Sequence, residues 1–203
     1  MLSGLLEPSK GVILFREKKL SQWGNLLRSA IGLVFQDADS QIVGETVEED
    51  IRFGPENLKL EKSEIDRRVK KVLAELNLEE KKDYSPRLLS GGEKRRLAIA
   101  GILVMGCDTV IMDEPFANLD WPGVVQVLRI IKELKTRAKT LIILTHELEK
   151  VLALADRLVI LDKGRIRDTG TCEEVLDRLE ESFCIRDPRR DYRSASDCTW
   201  LEN

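Results

Sequence analysis

The 203 residues are 42% hydrophobic and 34% charged, a balance that fits one soluble globular domain with a real core and excludes a disordered chain. With 33 Lys and Arg against 36 Asp and Glu, the formal net charge is −3, which excludes the basic footprint of a nucleic-acid binder or of a protein held on an anionic membrane surface. The longest apolar runs, such as residues 141–144, fall far short of the ~20 needed to span a bilayer, and the opening Met-Leu-Ser-Gly-Leu-Leu-Glu-Pro has no basic stretch of a signal peptide, so any membrane role must come through a partner.

Taken in chain order, residues 11–15 (Gly-Val-Ile-Leu-Phe) and 31–35 (Ile-Gly-Leu-Val-Phe) read as short strands. Residues 36–88 are polar and largely helical. Their clearest helix runs from about Ser63, a plausible N-cap, to Leu76, with Ile65, Val69, Val72, Leu73 and Leu76 on one face. Three alternations follow. A helix after Gly92 leads to a strand at 109–112, a helix with Pro122 in its first turn leads to a strand at 140–145, and a short helix at 147–155 leads to a strand at 157–162. Strands apolar throughout and separated by helices predict a mostly parallel sheet with helices on both faces. Thr171 and Glu174 predict a capping box opening a last helix. From Ser182 the chain is polar, arginine-rich and aperiodic, which predicts a poorly ordered tail over 182–203. The cysteines Cys107, Cys172, Cys184 and Cys198 form no Cys-x-x-Cys pair and the chain has one histidine, so reduced thiols are expected and a zinc site is not.

Four local patterns carry chemistry. The apolar run 110–112 ends in Asp113 and Glu114; ligands of open α/β sheets sit beyond the carboxyl ends of strands. There one carboxylate can hold Mg²⁺ and the other can polarise a water for attack on a phosphoryl group. An isolated Asp-Glu pair can equally be a strand ending in a solvated turn. Ser90, Gly91 and Gly92 open a basic and apolar helix, where exposed N–H groups and the helix dipole attract an anion; taken alone, an ordinary capping turn reads better. His146 follows the strand 140–145 at the sheet edge expected for Asp113, in reach of a phosphate oxygen or the attacking water. Gln36 ends an apolar strand, where its amide can contact metal or water.

In this order the four patterns resemble the ATPase domain of ABC transporters: Gln36 matches the Q-loop glutamine, residues 89–93 the LSGGE signature, Asp113 and Glu114 the Walker B aspartate and catalytic glutamate, residues 117–120 (Ala-Asn-Leu-Asp) the D-loop, and His146 the switch histidine. The resemblance covers about residues 1–170 and implies a P-loop NTPase-like α/β fold. The domain would span 1–181, with a helical subdomain at about 37–105. It further implies ATP and Mg²⁺ as cofactors, a second ATPase subunit facing the first head to tail as homo- or heterodimer, integral membrane partners, and a place on the cytoplasmic face of the membrane. Ser90, Gly91 and Gly92 would bind the γ-phosphate of the partner's ATP. Asp113 would hold Mg²⁺, Glu114 would activate water, His146 would sense the γ-phosphate, Gln36 would contact the metal and link the site to the membrane partner, and Asp120 would reach across the dimer. Residues 35–41, 46–51 and 53–57 further resemble cobalt-type and energy-coupling-factor importers, which take up vitamins or transition-metal ions. An alternative is a non-catalytic subunit that donates only its signature to an intact partner. A non-transport ATPase acting on DNA or ribosomes fits poorly with the acidic charge.

The pattern departs from the family at one point. No Gly-Lys-Ser or Gly-Lys-Thr occurs, so the G-x-x-x-x-G-K-[ST] loop that cradles the β- and γ-phosphates is missing. Residues 1–11 resemble the segment just downstream of that loop. On this reading a truncated reading frame or misplaced start has removed roughly 30 residues, about one βαβ unit. The lost strand is expected beside the strand of Asp113, leaving unpaired backbone groups inside the sheet.

Overall fold

The computed structural model describes residues 1–137, 139–179, 185, 187–190 and 200. Apart from residues 185, 187–190 and 200, the tail expected over 182–203 lies outside them. Backbone contacts divide the chain into two units, Met1–Leu144 and Thr145–Asn203.

The first unit opens with a small hairpin. β1 (Leu14–Phe15) pairs antiparallel with β2 (Lys18–Lys19). Arg16 and Glu17 between them take φ of 48° and 63°, the left-handed pair that a two-residue hairpin demands. The strand expected over 11–15 is therefore confined to its last two residues. A short helix, α1 (Leu27–Ala30), leads into β3 (Ile31–Val34).

β3 joins β4 (Thr109–Asp113) and β5 (Thr140–Leu144) in a parallel sheet ordered β3-β4-β5. Val34 lies opposite Met112, and Asp113 opposite Leu144. Parallel strands must be joined by crossovers, and α4 (Gly91–Leu103) and α5 (Trp121–Thr136) supply the last legs before β4 and β5. Between β3 and α4 stand α2 (Val47–Asn57), opened by a Thr46–Glu49 capping box, and α3 (Lys62–Glu75). The N-cap of α3 is Glu61, not Ser63, and no side chain caps it. Val34, Ile51, Leu97, Ile99, Val110 and Met112 are completely buried and join sheet to helices. The α/β class expected from the sequence is what the chain adopts.

β4 has a strand on each side, so the expectation of a vacancy beside it is not met. The edges of this sheet are the outer sides of β3 and β5. β4 is buried over its first four residues, whereas β5 is only partly covered, with Thr140 and Leu144 exposed.

In the second unit, α6 (Leu148–Val151) runs into a single 3₁₀ turn, Leu152–Leu154. β6 (Leu158–Asp162), read from the sequence as a further parallel strand, instead pairs antiparallel with β7 (Arg165–Gly170). Their turn holds Lys163 and Gly164 at φ of 49° and 74°, again the left-handed pair. α7 (Cys172–Asp177) carries the expected Thr171–Glu174 capping box. Its Cys172 and Leu176 bury against Leu152.

Candidate functional site

The first four amides of a helix lack intrahelical acceptors. At α4 the Ser90–Glu93 capping box satisfies two: the Glu93 amide donates to Ser90 Oγ at 3.3 Å and the Ser90 amide to Glu93 Oε2 at 2.9 Å. The amides of Gly91 and Gly92 remain as donors for a ligand. They border a cavity of about 400 Å³ that also takes in Arg96, Asn118, Asp120 and Gln126. A Cβ at Gly91 would come within 3.9 Å of the Asn118 carbonyl and one at Gly92 within 3.7 Å of Gly123. The glycines thus keep this cradle open for an anion rather than relieving a clash.

Asp120 is brought to the same cavity as Ser90–Gly92, and there it is the N-cap of α5, accepting from the Gly123 amide at 3.0 Å. Pro122 sits in the first turn of that helix, as expected. Arg96, which the sequence reading passed over, donates to Gln126 and puts a cation in the cavity wall.

Glu93 would set a negative charge beside an anion site, and Lys81 neutralises it: its ammonium donates to Glu93 Oε1 at 2.5 Å. That bond, ahead of the Ser90 amide, holds the Glu93 carboxyl below the usual carboxylate range. A depressed folded-state pKa gives stability present above the unfolded carboxylate range and lost as pH falls through the folded value. Lys81→Met should therefore flatten the fall of stability on acidification below about pH 4.5, the ordinary Glu range. Urea unfolding at stepped pH checks this, and parallel curves for the two proteins would refute it.

Asp113 is the last residue of β4, and Glu114 follows in a tight turn. The Glu114 amide donates to the Leu144 carbonyl of β5 at 2.9 Å, and its carbonyl accepts from Ala117 at 3.1 Å. Its φ is +43°, a left-handed conformation that costs a non-glycine residue on the order of 1–2 kcal/mol. Both carboxylates are partly exposed, and Phe116 anchors the turn with 1% of its surface accessible. Among the described residues no three acidic, histidine or cysteine side chains group to hold a metal. One or two carboxylates at a strand end suit an ion such as Mg²⁺ that takes its remaining ligands from water and phosphate.

Gln36 stands two residues past β3, at the same carboxyl edge as Asp113 and Glu114, with its side chain exposed. His146, also exposed, lies in the second unit, between Thr145 and Glu147. The other six residues singled out in the sequence belong to the first unit.

An acidic strand end, Asp113 and Glu114, and an open, glycine-lined helix start at Ser90–Gly92 are both present in the first unit. The profile of the family described as ABC transporter matches residues 1–117, more than half of the chain, and the chain belongs to this family. The chain is 44% identical to the energy-coupling factor transporter ATP-binding protein EcfA of Methanosarcina acetivorans, over 88% of its own length and 65% of that protein. It is 42% identical to EcfA1 of Clostridium novyi, over 88% and 64%. Among solved structures, cbiO1 from Clostridium perfringens, described as part of the ABC transporter complex cbiONQ, matches with TM-score 0.78 and 38% identity, covering 87% of this chain and 72% of that one. The chain spans just under two thirds of the length of these curated relatives.

Proposed function

We propose that this chain belongs to an ATP-hydrolysing subunit that powers an ABC importer of the energy-coupling-factor or cobalt type. It would sit on the cytoplasmic face of the membrane against integral membrane subunits, paired with a second ATPase subunit. Among the described residues no helix is long and apolar enough to cross a membrane, so the path for the cargo, a vitamin or a transition-metal ion, would belong to those partners. Residues 1–181 would act as the ATPase domain, with about 37–105 as its helical, signature-bearing part.

The single observation that carries this reading is the cavity shared by Ser90, Gly91, Gly92 and Asp120, where free helix amides meet a residue assigned to the subunit contact. Mg²⁺-bound ATP would supply the scissile phosphoanhydride. Gly91 and Gly92 would donate amide hydrogen bonds to the γ-phosphate of the partner's nucleotide, with the Ser90 hydroxyl beside them. Asp113 would hold the ion, Gln36 would reach ion or water from the neighbouring strand, and Glu114 would accept the proton of the attacking water. His146 would hydrogen-bond the γ-phosphate. The names EcfA and cbiO1 of the relatives support the importer type. No Gly-Lys-Ser or Gly-Lys-Thr occurs in the sequence, and ATP binding in this reading would also draw on a phosphate-cradling loop.

The test is Ser90→Arg in the full-length subunit assembled with its membrane partners. The arginine would fill the cavity, and hydrolysis should drop by about 10²–10³-fold, as when a key transition-state donor is lost. Nucleotide binding, which rests on the phosphate loop, should persist. Wild-type hydrolysis by this variant would overturn the reading.

A further inference from the structure

Residues 35–41 have no strand or helix of their own, so their position depends on what holds them. Three side-chain links tie them to α4. Arg95 donates from one guanidinium nitrogen to the Phe35 carbonyl at 2.7 Å and from the other to the Gln36 carbonyl at 2.6 Å. Gln41 accepts from the Phe35 amide at 3.0 Å and donates to the Ala98 carbonyl of α4 at 3.2 Å. Lys94 pairs with Asp39 at 2.6 Å.

Arg95 is the unusual member. Only 3% of it is accessible, and its Nε has no hydrogen-bond partner. An interior cation bound to two neutral carbonyls, with one donor wasted, is a poor way to gain stability, since an apolar side chain of similar volume often does as well. It does hold two consecutive carbonyls at once through a rigid fork. Gln36 is thereby split between a clamped backbone and an exposed side chain.

The geometry points to Arg95 as a positioning residue for Gln36: with Gln41 and Lys94 it yokes the turn carrying Gln36 to the first two turns of α4, so that Gln36 and Ser90–Gly92 shift as one body. This rests on the proposed ATPase function. Any push on the 35–41 turn would reach the signature amides without passing through the sheet, and any closure of the amides onto phosphate would move Gln36.

The experiment uses the full-length subunit in its transporter complex, with Arg95→Met, Arg95→Lys, Gln41→Ala and the control Glu114→Gln, all well below their melting temperatures. Arg95→Met should speed amide exchange in the 35–41 peptide and lower kcat, each by about tenfold, with KM for ATP changed by less than about twofold, a size typical of a lost coupling. Arg95→Lys, which can still reach one carbonyl, should recover part of both. Gln41→Ala should move both in the same direction. If Arg95→Met does not fold, Gln41→Ala alone decides, and wild-type kcat there overturns the yoke. Faster exchange with unchanged kcat overturns it too, because the turn would then be held for stability alone. Normal hydrolysis by Glu114→Gln would remove the ATPase assignment and the yoke with it. A dead Glu114→Gln beside a fully active Arg95→Met would remove the yoke and leave the assignment standing.

Discussion

Glu114→Gln is expected to leave nucleotide binding intact and to lower ATP turnover by about 10²–10⁴-fold, the range for losing a positioned general base. The amide is nearly isosteric with the carboxylate, so the change removes charge and proton affinity while keeping the shape. The backbone bonds of residue 114, its amide to Leu144 and its carbonyl from Ala117, survive the substitution. The turn should therefore keep its backbone conformation, and a cooperative melting transition checks that the variant is folded. Single-turnover hydrolysis in the assembled transporter, with nucleotide binding measured on the same preparation, separates chemistry from binding. Wild-type turnover would take the base role away from Glu114. Equal loss of binding and turnover would say instead that the carboxylate mainly holds the ion.

Phe116→Ala carries the largest expected effect on stability. The ring is 1% accessible, and its carbonyl accepts from the Leu119 amide at 3.2 Å, so it pins the turn running from Glu114 to the α5 cap at Asp120. Truncating a buried phenylalanine removes its transfer energy and leaves a cavity, together about 3–5 kcal/mol. That is a large share of the about 5–15 kcal/mol that holds a typical domain together. The urea midpoint should fall steeply with little change in slope. A loss below about 1 kcal/mol would mean that the turn collapses into the space, contrary to the usual incomplete relaxation of cores.

Much of the fold was legible because local patterns agree with the tertiary answer. The apolar runs within 31–34, 109–113 and 140–144 fall on the three strands of the parallel sheet, and Ser90–Glu93 and Thr171–Glu174 form the capping boxes their spacing suggests. What stayed hidden depends on partners distant in sequence. Parallel strands joined by crossovers do not announce their order, so the flanking of β4 by β3 and β5 could not be read. β7 was missed because Arg165–Gly170 has no apolar run, and only the Lys163-Gly164 turn signals its hairpin. Arg16 and Glu17 gave no hint that they would take positive φ. At the site, the residue types and their spacing were visible while the geometry was not. Lys94, Arg95 and Arg96 look interchangeable in sequence, yet the helix turns them to Asp39, to the Phe35 and Gln36 carbonyls, and to Gln126 respectively. Rotation of about 100° per residue along α4 makes that difference.

On the proposed assignment of Glu114 as the base, its left-handed backbone would set selection for robustness against selection for turnover. A glycine there would sit in its preferred region and relax the turn, but it would delete the carboxylate. Laboratory evolution judged by heat resistance alone would be drawn toward such replacements. On that assignment the strain at this one position would mark turnover as the demand that outweighed stability.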